Sequence, residues 1–219
     1  MAWFRCVGSS GGGGTTPEFT KTVILDNFSL SNTLTWDYDY ADYDFLECEL
    51  YNTSSDTSFK LITTPEIITA LFANSEGRCT FNETATNQYI CYTKSSNTSW
   101  SRYGGRNLVL KAVTGWICSN MNVVKAEIYD REDYSSSNVE IELSSGSFYD
   151  YDYLFMCTCT GTSDESIPNN YILCINDETF NAYPIGFVLC SYNSKVALEM
   201  TSTKLAAGRY CYVQGVRFV

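Results

Sequence analysis

The chain says nearly the same thing twice, and that constrains its fold more than any other feature. Residues Trp36-Asp37-Tyr38-Asp39-Tyr40 are echoed by Tyr149-Asp150-Tyr151-Asp152-Tyr153. Each run leads into an apolar stretch that reaches a cysteine, Phe45-Leu46-Glu47-Cys48 and Leu154-Phe155-Met156-Cys157. Each copy then closes on Gly-Arg and a strand-like run, Gly105-Arg106 before Leu108-Val109-Leu110 and Gly208-Arg209 before Tyr210-Cys211-Tyr212-Val213. The period is roughly 105–110 residues, too long for a solenoid repeat and the size of one small β domain.

The pattern within each copy is strand-like. Short apolar segments recur every 8–12 residues or so with Gly, Asn and Ser between them, which is the spacing of a sandwich. Val139-Glu140-Ile141-Glu142-Leu143 alternates strictly and predicts a strand with one buried face. The stretch Ile67-Ile68-Thr69-Ala70-Leu71-Phe72 reads as either a short helical turn or a strand. We therefore expect an all-β protein of two tandem, related β-sandwich modules, of jelly-roll or immunoglobulin-like type. The expected division is an arm and linker over 1–17, one module over 18–119 and a second over 120–219.

Residues 1–8 are an apolar arm carrying Trp3, Phe4 and Cys6, and Gly8 to Thr16 form a Gly/Ser/Thr tether. Glycine leaves such a tether conformationally free. An exposed Trp-Phe pair on a flexible leash points to a docking role, so Trp3, Phe4 and Cys6 are the candidate anchor residues. The apolar start is too short for a signal h-region, and no stretch reaches the length of a membrane span, so cytosolic synthesis is expected.

Composition narrows the chemistry. The chain has no histidine, which removes Ser-His-Asp and Cys-His catalysis and the histidine-containing zinc sites. No nucleophile elbow, phosphate-binding loop or dinucleotide fingerprint is present. A net charge of −11 repels nucleic acid and anionic membranes. Ten cysteines would fit a disulfide framework, but most lie inside apolar strand-like runs, where a reduced thiol packs as a small hydrophobe. The reading is a non-enzyme with no catalytic residues, no cofactor and no metal.

The Tyr-Asp runs are the candidate ligand-binding residues. Read as strands, they put Asp37 and Asp39 on one face and Trp36, Tyr38 and Tyr40 on the other, with Asp150 and Asp152 alternating against Tyr149, Tyr151 and Tyr153. Tyrosine gives a rigid amphipathic surface, and with carboxylates beside it suits sugars or protein partners. The competing explanation is a half-buried strand with its carboxylates in water. Asp37, Asp39, Asp42 and Asp44 offer oxygen ligands for calcium, yet the spacing lacks the closing glutamate of a calcium loop.

The apolar N-terminus, the poly-glycine tether and the Ser/Thr/Asn/Tyr-rich β modules together resemble accessory virion proteins of bacteriophages and prophages: head fibres, tail fibres and baseplate receptor-binding proteins. That resemblance implies a virion component assembled in the bacterial cytoplasm, plugged into other virion proteins by its arm. It implies a homo-oligomer, commonly a trimer, with β modules displayed toward a host-surface glycan or another partner. A free-standing carbohydrate-binding module is the alternative reading.

Overall fold

The computed structural model describes residues 17–27, 31–73, 77–83, 88–131, 138–160, 167–174, 185–187, 189–190, 197–199, 201–208 and 210–219. The anchor candidates Trp3, Phe4 and Cys6 and the glycine tether lie outside them. The fold is all-β and β-sandwich-like, with one short α-helix among the described residues.

The first half runs β1 (Phe19–Asp26), β2 (Thr33–Thr35), β3 (Phe45–Asn52), β4 (Thr57–Thr63), α1 (Pro65–Ala73), β5 (Arg78–Glu83), β6 (Gln88–Ser96), β7 (Ser99–Arg106) and β8 (Leu108–Cys118). The stretch at 67–72 is thus helical. Pro65 opens the helix at a position where its missing N–H costs nothing, and Ile67, Ile68, Leu71 and Phe72 form its buried stripe. Two four-stranded sheets result, in the orders β1-β8-β3-β4 and β2-β7-β6-β5. Between them lie Leu46, Cys48 and Leu50 from one sheet and Cys79, Phe81, Ile90, Tyr92 and Trp100 from the other, all essentially without solvent contact.

The second half runs β9 (Val123–Asp130), β10 (Val139–Glu142), β11 (Tyr153–Thr160), β12 (Ile167–Cys174), β13 (Ile185–Phe187), β14 (Leu189–Cys190), β15 (Ala197–Glu199), β16 (Lys204–Gly208) and β17 (Tyr210–Phe218). Its main sheet has the order β14-β12-β11-β17-β9. The order β1-β8-β3-β4 therefore recurs as β9-β17-β11-β12. The repetition extends to irregularities. Ile24 is bulged where β1 meets β8, and Ile128 is bulged at the matching place where β9 meets β17. Lys111 is skipped opposite Glu49 and Leu50, as Cys211 is skipped opposite Cys157 and Thr158. A bulge bends its strand and is a specified feature of a sheet, so two shared bulges tie the halves together more firmly than strand order alone.

Structural register corrects how the two copies align. Phe45 pairs with Trp116 and Tyr153 with Val216, so Phe45 corresponds to Tyr153, Cys48 to Met156 and Leu110 to Tyr210. The Tyr-Asp runs consequently match as Tyr40-Ala41-Asp42-Tyr43-Asp44 with Phe148-Tyr149-Asp150-Tyr151-Asp152, and not as 36–40 with 149–153. Short Tyr-Asp alternations are self-similar, and several offsets look equally good in sequence.

The halves share a core. On the second half's main sheet, Leu154, Met156 and Val213 pack with Ile141, Phe148 and Leu205 on one side. On its other side Tyr153, Phe155, Cys157, Tyr212, Val216 and Phe218 join the first half's core. Phe45 stacks on Phe155 at 5.9 Å between ring centroids, and Phe19 meets Phe218 edge-on at the same distance. Paired backbone hydrogen bonds between Asn122 and Val219, 2.8 and 2.9 Å, extend the β9–β17 ladder to the last residue.

Candidate functional site

The residues of both Tyr-Asp runs sit at a sharp turn that feeds the central strand of a sheet. They do not form the alternating strands expected of them. Trp36 to Asp39 bend, and Tyr40–Asp42 form a single 3₁₀ turn before β3 begins at Phe45. In the second half Phe148–Asp150 form the matching 3₁₀ turn before β11. The local reason is capping. Asp39 Oδ1 accepts from Ala41 N at 2.8 Å, closing an Asx turn that competes with an extended backbone. Ser147 and Asp150 form a reciprocal capping box, Ser147 N donating to Asp150 Oδ2 at 2.8 Å.

Most of the candidate residues are consumed by the fold. Trp36 is buried, donates its indole N–H to Asn97 O at 3.0 Å and meets Trp100 edge-on at 5.0 Å. Asp39 Oδ2 accepts from Asn97 Nδ2 at 3.0 Å. Tyr40 is buried, its hydroxyl 3.2 Å from Thr69 Oγ1 and accepting from Lys94 Nζ at 3.4 Å. Tyr153 is buried between the halves. Asp152 is buried too, its Oδ2 accepting from Phe218 N at 2.8 Å, as Asp44 Oδ2 accepts from Cys118 N at 2.8 Å in the first half. Alternation therefore fails at once: Trp36 and Tyr40 face inward while Tyr38, between them, is 49% exposed.

Tyr43 and Tyr151 show what the turn is for. The Tyr43 ring lies over Gly115, and the Tyr151 ring lies over the equivalent Gly215, where an added Cβ would come within 2.5 Å of the ring. Aromatic cover of a strand glycine restores the packing that glycine lacks, and it pins the turn against the sheet.

What remains available to a partner at these turns is small. Asp37 and Tyr38 project from the first, Tyr149 and Asp150 from the second, and Tyr149 is 49% exposed. The described cysteines pack as core. Cys48, Cys79, Cys91, Cys118, Cys157 and Cys211 are buried thiols. Burial pushes the Cys48 thiol up to about 12, so the nucleophilic thiolate is suppressed at neutral pH. Among the described residues no group of three or more Cys, Asp or Glu is placed to hold a metal ion.

The surface that sequence reasoning missed lies on β7, a strand the apolar pattern did not reveal. Tyr103 is the most exposed aromatic of the described residues, at 60%, and the Arg78 guanidinium lies 3.6 Å from its ring centroid. The available signal was the alternation of Trp100 with Ser99 and Ser101, obscured by the glycines that follow.

No family model, no curated protein and no solved structure matches this chain.

Proposed function

We propose that this chain is a non-enzymatic structural and adhesive component of a bacteriophage virion, attached to other virion proteins by its N-terminal arm. In this reading residues 18–119 and 120–219 are two related β-sandwich modules, displayed as one body. The observation that carries the reading is the doubled frame: one strand order with matched bulges, and a shared aromatic core that couples the halves. Such a body transmits position from an anchored end to a displayed end without a hinge, which is what a fibre or decoration protein requires. Polar residues that catalysis would need free are spent in caps and strand-end hydrogen bonds, as with Asp39, Asp44 and Asp152.

The test is to delete residues 1–16 and ask whether the remaining chain co-sediments with particles. The expected result is loss of attachment with an unchanged circular dichroism spectrum and, for the intact chain, a homo-oligomer such as a trimer in sedimentation. Full attachment without the arm would overturn the anchor. A free carbohydrate-binding module is the second reading, favoured by the exposed Tyr38, Tyr103 and Tyr149.

A further inference from the structure

The outer face of the β2-β7-β6-β5 sheet has a chemistry unlike that of the neighbouring first-half sheet. Across it, register places Thr33 opposite Ser101, Ser101 opposite Thr93, and Thr93 opposite Arg78. One row therefore crosses all four strands, three hydroxyls ending in a guanidinium. At the usual strand spacing of about 4.8 Å this row spans roughly 14 Å. Tyr103 stands beside its basic end, stacked under Arg78.

Charge is segregated onto the same sheet. Its strands carry Arg78, Lys94, Arg102 and Arg106 against the single carboxylate of Glu83, in a chain whose net charge is −11. Register sets Lys94 opposite Trp100 and Arg102 opposite Tyr92, on the inward side, so Arg78 is the cation of the outer row. Arg102 donates only to neutral oxygens, Asn32 Oδ1 at 3.3 Å and Gly105 O at 3.5 Å. Arg102 and Arg106 are both exposed and have no carboxylate partner among the described residues. The neighbouring sheet of the first half is arranged differently, with Lys60 held by Glu47 at 2.7 Å and Lys111 by Glu49 at 2.8 Å.

We propose that this face binds a carboxylate-bearing polysaccharide laid across the strands. The inference rests on the adhesive reading above and supplies its ligand class. A polyuronate meets every feature of the surface: sugar hydroxyls for the row of Thr33, Ser101 and Thr93, a C–H face for the Tyr103 ring, and a carboxylate for Arg78.

Affinity electrophoresis of the full-length chain through gels containing polygalacturonate, its methyl ester, or polyglutamate tests this directly. Polygalacturonate should retard the protein, and methyl esterification should weaken retardation at least fivefold. Tyr103→Ala and Arg78→Gln should each weaken it about tenfold, whereas Tyr149→Ala should leave it unchanged. Tyr103 is exposed, so its truncation leaves the fold intact; Arg102→Gln, on the other side of β7, should leave the retardation unchanged. No retardation by polygalacturonate, retardation indifferent to Tyr103→Ala, or equal retardation by polyglutamate would each overturn the proposal. Failure here with arm-dependent particle attachment preserved would remove the ligand and leave the virion role standing.

Discussion

The corresponding outer faces of the two central sheets were built on one frame and put to opposite use. Glu47 and Glu49 on β3 occupy the positions of Phe155 and Cys157 on β11. In the first half the two glutamates are paired with Lys60 and Lys111 and stay in contact with water. Lys111 holds the Glu49 carboxyl below its usual range through a hydrogen bond and its charge. In the second half Phe155 and Cys157 are buried against the first half, stacked beside Phe45 and Phe218. Two alternate positions on one strand thus decide whether a sheet face is solvated or becomes an internal interface. Strand order and bulges are indifferent to that choice.

The largest expected effect comes from exchanging those choices. Phe155→Glu places a carboxylate at a site 2% exposed, surrounded by aromatic rings. Its cost should be about 4 kcal/mol or more, from the lost ring packing and the stranded charge together. The reciprocal Glu47→Phe gives up a partly exposed ion pair and should change stability by no more than about 1 kcal/mol. Urea denaturation midpoints of the two variants make the comparison. Similar costs would mean that the two faces do not differ as their burial indicates.

A second pair of substitutions probes what the halves hold in common. Gly115→Ala and Gly215→Ala both drive a methyl group into the tyrosine lying over the glycine. Tyr43 is buried and has nowhere to go, whereas Tyr151 is half-buried and can swing toward water. Gly115→Ala should therefore cost about 2–3 kcal/mol and Gly215→Ala about 1–2 kcal/mol, both read from thermal or urea unfolding. A silent Gly115→Ala would sink the idea that the tyrosine-covered glycine pins the turn.

These contrasts also explain what could be read from sequence. The repeat and the all-β class were visible because tyrosine, β-branched residues and turn formers recur with strand spacing. A further signal distinguished the two central strands. Leu46-Glu47-Cys48-Glu49-Leu50 alternates, whereas Tyr153-Leu154-Phe155-Met156-Cys157 is continuously apolar, the mark of a strand buried on both faces. The interface was thus written in β11. What covers it was not, because burial of a strand says nothing of its partner. The candidate site failed for a related reason. Alternating Tyr and Asp satisfy a strand period, but an aspartate placed to accept from the N–H two residues on converts the run to a turn. β7 was hidden because Arg, Ser and Gly carry its polar positions and only Trp100 marks its buried face.

The smallest effect tests the coupling between the halves themselves. Thr64 caps α1, its hydroxyl oxygen accepting from Ile67 N at 3.4 Å, and it donates to Gln214 Oε1 at 2.6 Å. Both side chains are buried, and the bond joins the start of a first-half helix to the last strand of the second half. Gln214 occupies the place of Thr114 in the first half, so the contact has no counterpart in the repeat. Thr64→Val leaves the glutamine oxygen without its donor, and Gln214→Leu leaves the threonine hydroxyl without its acceptor. Each should cost about 1–3 kcal/mol, because one buried polar group is stranded in either case. Thr64→Val also weakens the helix cap, so the single variants do not isolate the bond. The double variant strands neither group, and the cycle should return a coupling energy of about 1 kcal/mol. Additive costs would mean that the aromatic stack and the 3.0 Å Lys125–Glu66 ion pair join the halves and that this buried polar contact contributes nothing to how they are held.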